Sequence, residues 1–293
     1  MASTVTVNVH GLTLRVKAGF YDRFWRSVED GTWEKETFSA FDHLVEPDSI
    51  VLDIGASVGA LTLYAAGVAR KVYSFEPDPV NYNELVSNVS LNPSLADSIV
   101  CSPQALAPKS RRNHLRASRF FGDSSASLMP RSGEVGEPVL VDCLRYADLL
   151  QSYSIDPREL SLVKIDIEGG EFWLIPDMAS LLRAQPVSLH LSLHGPYLAR
   201  YYLRKLLRHQ YLCRLVVKAE ALTSVPFFTA LFVRPLVRRR IRKLFAAVDH
   251  YHYCYDGGGA QPDRHEMLKS ACDKATTIIL TNQPWGSSTR QAG

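Results

Sequence analysis

Two stretches of this 293-residue chain put glycines and carboxylates at a spacing that can do chemistry. The first is Val51-Leu52-Asp53-Ile54-Gly55-Ala56-Ser57-Val58-Gly59. Its aliphatic start, from Ile50 to Ile54, predicts a buried parallel strand. The glycines predict a tight loop, and Leu61 to Ala66 a helix behind it. Glu76 and Pro77 close the next apolar run, Val72 to Phe75. A glycine loop followed roughly 20 residues later by a carboxylate is the arrangement that holds the ribose of an adenosine cofactor. The second stretch is Leu162-Val163-Lys164-Ile165-Asp166-Ile167-Glu168-Gly169-Gly170-Glu171, another apolar run ending in acids and glycines.

The first stretch discriminates between cofactors. A dinucleotide site wants Gly-x-Gly-x-x-Gly, with backbone against a pyrophosphate at a helix N-terminus. Here Ser57 stands at the second glycine position, and no phosphate-cradling lysine follows. Asp53 would repel a pyrophosphate and suit an ammonium group. S-adenosylmethionine (SAM), with an ammonium, a sulfonium and a ribose, is therefore expected over NAD; a turn without ligand is the remaining reading. The expected cofactor contacts are Asp53, Gly55, Ala56, Ser57, Gly59, Glu76 and Pro77, with Asp166 from the second stretch.

Asp166, Glu168 and His194 are the candidates for catalysis. His194 ends the next apolar run, Val187 to Leu193. With SAM as donor, transfer would need alignment of an acceptor atom with the methyl carbon and a base for any proton that atom gives up. Asp166 ranks first as base, with positioning of SAM and capping of the next helix as its alternatives. Glu168 could equally cap a helix, and His194 could be a turn residue. The three could instead hold Mg²⁺. His190 has the same parity as His194 on its strand, so both could face the site, although a buried histidine is more often structural.

The elements that must position these residues alternate strand and helix. They predict an α/β fold, a doubly wound, mostly parallel sheet, and ligands then bind beyond the carboxyl ends of its strands. The expected divisions are an N-terminal β-hairpin and helical flap (1–46), the core (47–196), a helical insertion (197–249), the last strands of the core (250–285) and a disordered tail (286–293). Lys109 to Arg119 is expected to form a solvated hairpin, and Thr276 to Thr281 to close the sheet. The insertion is basic, with Arg234, Arg238, Arg239, Arg240, Arg242 and Lys243 and no acid between Glu220 and Asp249. A solvated face, docking to an anionic membrane through residues 234–243, and binding of an anionic acceptor are its three readings.

Hydrophobic content of 46% and charged content of 22% indicate an ordinary globular chain. A net charge of +3 does not call for nucleic acid, and none is expected as a partner. Five scattered cysteines, with no CxxC pair, suit free thiols in a reducing cytosol. No apolar leader is seen near Met1, so a cytoplasmic protein is expected, with peripheral contact at the inner face of a membrane as an addition.

Together these residues resemble the FkbM family of SAM-dependent methyltransferases, over roughly Gly31 to Ser192. The resemblance rests on Gly31-Thr32-Trp33-Glu34, on Asp53 to Gly59, on Phe75-Glu76-Pro77, on Ser125-Ala126-Ser127-Leu128 and on the Lys164 to Glu171 string. It departs at Ser57, where the family usually has Asn, and in the strand ending at His194, where the family often has Glu. It implies a class I, Rossmann-like methyltransferase and O-methylation of a hydroxyl. The acceptor it implies is a glycan or lipid-linked sugar, or else a polyketide-type metabolite. It assigns Glu34 to closing over SAM, with a helix cap as the alternative. Ser125 and Ser127 are candidates for contact with cofactor or acceptor, with a plain loop as the equal alternative. An NAD or nucleotide-sugar oxidoreductase and a non-catalytic membrane- or partner-binding protein are the competing classes.

Overall fold

The computed structural model describes residues 4–130, 136–185, 187–208, 210–223 and 228–285. The tail expected at 286–293 lies outside the described residues. The hairpin forms as β1 (Thr4–Val9) and β2 (Leu12–Lys17) and buries Val7, Val9, Leu14 and Val16 on one face. Helices α1 (Asp22–Glu29) and α2 (Lys35–Leu44) follow. Strands and helices then alternate: β3 (Ile50–Ile54), α3 (Ala60–Ala66), β4 (Lys71–Phe75), α4 (Pro79–Ser90), the single turn α5 (Pro93–Ala96) and β5 (Ile99–Ser102). Helix α4 starts where its residues dictate. Asp78 accepts hydrogen bonds from the N–H groups of Val80 and Asn81, and Pro79 takes a first-turn position that needs no donor.

Strands β6 (Ala105–Leu106), β7 (Arg111–Leu115) and β8 (Val139–Leu144) form a separate small sheet in the order β6-β8-β7. The basic run is thus not a self-contained hairpin. Its middle is one strand, antiparallel to β8. The run has little apolar surface of its own to bury, whereas β8 supplies Val141 and Cys143 to a small core with Leu115 and Ala105.

The chain continues through α6 (Tyr146–Ser152), β9 (Leu160–Ile165), α7 (Glu171–Ala184), β10 (Ser188–His194), α8 (Gly195–Leu207), α9 (Gln210–Thr223), α10 (Arg234–Ala247), β11 (Tyr253–Asp256), α11 (Arg264–Asp273) and β12 (Ala275–Thr281). The main sheet runs β11-β12-β10-β9-β3-β4-β5. Neighbours from β10 to β5 are parallel, and β12 is antiparallel to both β10 and β11. So β12 does not close the sheet; β11 is the edge. Ile278, Ile279 and Leu280 of β12 are buried, which suits an inner strand, while the shorter β11 leaves Tyr253 and Asp256 half-buried.

Each face of the sheet carries a core. Trp25, Phe38, Phe41 and Leu63 pack on one side with the hairpin. Phe172, Met178, Leu198, Ile241 and Leu244 pack on the other. The basic insertion therefore belongs to the body of the protein: the apolar stripes of α8 and α10 share the core built by α7 and the sheet. No helix among the described residues is long and apolar enough to cross a membrane.

Register fixes the functional edge. Ile54 lies beside Phe75 on one side and Ile165 on the other. Gly55, Glu76 and Asp166 consequently leave the sheet at the same edge, and His194 ends β10 on that edge too.

Candidate active site

The glycine loop is shaped first by its neighbours. Gly55 has φ +81°, and a Cβ there would come within 1.8 Å of the Asp166 carbonyl oxygen. Asp166 N–H donates to Ile54 O at 2.9 Å, so the two strand ends are laced directly together. Gly59, at φ +93°, starts α3, where a Cβ would come within 2.6 Å of Leu85 Cδ1. Between them Ser57 takes φ +49°. That left-handed conformation is one Asn adopts readily, which accounts for the residue the resemblance expected there.

Glu76 is nearly buried and ties this loop to the next. Its Oε2 accepts from Ser57 N–H at 2.7 Å, and its Oε1 from Asp78 N–H at 2.8 Å. Burial raises its pKa to about 7, against those two hydrogen bonds. Each oxygen retains lone-pair capacity for a ligand hydroxyl.

Asp53 is not where its position before the loop suggested. It is fully buried below the cavity, and the ammonium it faces is the chain's own: Lys164 Nζ lies 3.1 Å from Asp53 Oδ1. Thr62 donates to the other oxygen at 2.6 Å. Lys164 also donates to Gly55 O at 2.5 Å, so the pair braces the loop from beneath. The cause is register, because Asp53 and Lys164 are direct partners across β3 and β9.

The acidic turn after β9 is organised by a residue to which the sequence reading gave no role. Glu171, fully buried, accepts from Gly169 N–H at 2.8 Å and from His194 N–H at 2.7 Å. Its Oε1 also lies 3.4 Å from His194 Nδ1. On the other side of the ring, His194 Nε2 is 3.7 Å from Asp166 Oδ1 and 3.7 Å from Glu168 Oε1. Tyr197 stacks on the imidazole at 5.5 Å. Burial opposes a charge on His194, but the carboxylates of Glu171, Glu168 and Asp166 prevail and raise its pKa to about 10. The three carboxylates thus favour the imidazolium form at neutral pH. The only advance signal for Glu171 was its place in the repeated acid pattern after Lys164. Glu168 itself takes φ +56° and Gly169 +99°, and α7 starts at Gly170 with no side-chain cap, so the capping alternative for Glu168 is not realised.

These groups surround a cavity of about 380 Å³, in the range of small-ligand sites. Glu34, Gly55, Ala56, Ser57, Glu76, Pro77, Asp166, Glu168 and His194 line it. Phe24 and Trp33 add an aromatic wall. Glu34 makes no capping hydrogen bond to α2, and burial, with Asp166 nearby, raises its pKa. Gly59 and Ser125 do not line the cavity. Ser125 is spent inside its own loop, where it accepts from Ser118 N–H at 3.0 Å. Ser127, the other serine named for that contact, does line the cavity, together with Ser124; Ser127 Oγ donates to Glu168 O at 3.0 Å. His190, despite its parity with His194, lies four residues deeper in β10, fully buried and 3.2 Å from Thr37 Oγ1. Burial, then Lys164, lowers its pKa to about 4.

Asp166, Glu168 and His194 offer ligand atoms within 4.8 Å of one another. Two of the three are carboxylates, and the third is an imidazole nitrogen, a poorer ligand for Mg²⁺ than oxygen.

The sheet order, the acid at the end of β4 and the cavity above β3 and β9 define a class I, Rossmann-like methyltransferase architecture. The Methyltransferase FkbM domain matches residues 53–212, so the chain belongs to the FkbM methyltransferase family. A Methylobacillus flagellatus FkbM methyltransferase structure is 15% identical over 80% of this chain and 43% of that one, with a TM-score of 0.41. A putative rRNA methylase from Clostridium thermocellum is 8% identical over 84% of this chain and 93% of that one, with a TM-score of 0.43. An uncharacterised Methanocaldococcus jannaschii protein is 37% identical over 54 residues, 18% of this chain and 21% of its own length. The chain thus spans about a fifth of the curated relative it matches.

Proposed function

We propose that this methyltransferase uses SAM to methylate a hydroxyl group on a carbohydrate. The observation that carries the choice of donor is the charge of the cavity. Glu34, Glu76, Asp166 and Glu168 line it, and of its two cationic groups Lys164 is held by Asp53 and His194 by Glu171. A cationic donor without phosphate suits that lining, and a pyrophosphate does not. Glu76 would accept from the ribose hydroxyls, and Trp33 and Phe24 would flank the rest of the cofactor.

SAM bound there would supply an electrophilic methyl group to the acceptor oxygen and leave as S-adenosylhomocysteine. The hydroxyl proton goes to a carboxylate. Asp166 is the proposed base, because His194, carrying its own proton, cannot accept another. His194 holds Asp166 and Glu168 in place and offsets their charges. Glu168 is the second carboxylate in reach. Carbohydrate as acceptor rests on the family resemblance; a polyketide-type hydroxyl is the alternative acceptor.

The exposed Arg238, Arg239, Arg242 and Lys243 of α10 support a second element of the proposal, peripheral contact with an anionic membrane. Leu231 and Phe232 are exposed just before them, so cationic and apolar groups adjoin.

Thermal-shift titration with SAM, S-adenosylhomocysteine and NAD tests the donor. Stabilisation by the first two is expected; stabilisation by NAD alone would overturn the reading.

A further inference from the structure

A second cavity of about 340 Å³ adjoins the first. The two share Leu106, Leu128 and Gly170 in their linings, so they meet at the start of α7. The second one differs in character. Trp173, Tyr201 and Met129 give it an aromatic and apolar floor, and Lys109 and Arg111 give it a cationic rim. Among the described residues no carboxylate lines it, and neither Lys109 nor Arg111 makes an ion pair.

Its aromatic floor is braced. Tyr201 meets Trp173 edge-on at 5.1 Å, and the Arg240 guanidinium lies 4.5 Å from the centre of the Trp173 ring. Among the cationic side chains of α10, Arg240 alone is half-buried, and it braces the indole before any ligand arrives. The cations that sequence patterning placed on a solvated hairpin instead stand at the mouth of a cavity beside the methyl-transfer site.

We propose that this cavity is the acceptor subsite and that it takes a sugar bearing a phosphate group. The ring would lie against Trp173 and Tyr201, and the phosphate between Lys109 and Arg111. The assignment rests on the proposed methyl transfer to a carbohydrate and narrows it from a neutral to an anionic acceptor. The phosphate could belong to a soluble glycosyl phosphate or to the head of a lipid carrier; the chemistry recognised is the same.

The test measures binding directly, separately from turnover. Quenching of tryptophan fluorescence is followed in the full chain, saturated with S-adenosylhomocysteine. Titrants are a hexose 1-phosphate, a detergent-dispersed polyprenyl-phosphate sugar and the matching neutral glycoside. Saturable quenching by at least one phosphorylated sugar is expected, with the neutral glycoside at least tenfold weaker. Lys109→Gln with Arg111→Gln, both exposed, should weaken the phosphorylated ligand at least tenfold and leave S-adenosylhomocysteine affinity unchanged. Trp173→Phe should remove the quench. A soluble ligand equal to the lipid-linked one identifies a free sugar phosphate; a preference for the latter identifies the carrier. Equal binding of neutral and phosphorylated sugars, an indifferent double variant, or no binding of any phosphorylated sugar would overturn the assignment. Binding that behaves as expected with no methyl transfer would leave the subsite standing and sink the O-methyltransferase reading. Methyl transfer indifferent to Lys109 and Arg111 would do the reverse.

Discussion

Asp53 and Lys164 form a buried ion pair, 3.1 Å apart, directly beneath the glycine loop. Neither side chain is more than 5% exposed. The pair turns an acid that looked like a cofactor contact into a strut of the scaffold. Removing one partner strands the other charge in the interior, at roughly 3–5 kcal/mol. Lys164→Met should therefore destabilise the protein by about that much in urea denaturation. Asp53→Asn combined with Lys164→Met should recover part of the loss, because no unpaired charge remains. A double variant as unstable as the sum of the singles would contradict the strut.

Glu76 ionises near neutrality, since burial raises its pKa to about 7. Ribose hydroxyls donating to it favour the ionised form, so ligand binding and proton release are linked. Affinity for S-adenosylhomocysteine should rise as pH goes from 6 to 8 and level off above. Glu76→Ala should weaken binding by roughly one to two orders of magnitude, through loss of charge-assisted hydrogen bonds. Calorimetric titration at three pH values measures both; a flat profile would remove Glu76 from the ribose site.

His190 is a buried neutral histidine whose pKa is lowered to about 4, by burial and then by Lys164, with Asp166 and Asp53 pulling the other way. The unfolded chain takes up its proton near pH 6.5 and the folded one near 4, so stability is present above 6.5 and drains away as pH falls through that window. Between pH 7 and pH 5 the loss is about 2 kcal/mol. In His190→Gln the same change of pH should cost correspondingly less. Equal acid sensitivity in both proteins would mean that other groups carry the effect.

The cationic face of α10 predicts a salt-sensitive association with anionic vesicles. Replacing Arg238, Arg239, Arg242 and Lys243 by Gln should weaken co-sedimentation with phosphatidylglycerol vesicles by roughly tenfold or more, and neutral vesicles should bind neither protein. Binding unchanged by the substitutions would leave α10 as a solvated face.

Much of this architecture is legible in the chain. The apolar run from Ile50 to Ile54 is a strand with those same bounds, because a parallel strand buried on both faces admits little else, and the run from Val72 to Phe75 is a strand that begins one residue earlier. The acids at their ends meet at one edge for the same reason. What the chain hides is pairing across distance. Lys164 reads as the partner of some carboxylate, but that the carboxylate is Asp53 depends on β3 and β9 being neighbours in register. Arg111 reads as solvated until β8 takes β7 as its partner and Trp173 and Tyr201 come up beneath. Glu171 is one acid among several in the string, and only the fold shows that it holds both the turn and His194.

The central claim is methyl transfer from SAM to a hydroxyl with Asp166 as base. Transfer of tritium from labelled SAM into glycans and sugar phosphates, by wild type and by Asp166→Asn, with and without EDTA, tests it most directly. Wild type should give an alkali-stable, ether-linked label, unaffected by EDTA, and Asp166→Asn should lose about a hundredfold or more of it with S-adenosylhomocysteine affinity retained. Full turnover by Asp166→Asn, or no label in any hydroxyl acceptor, would contradict it.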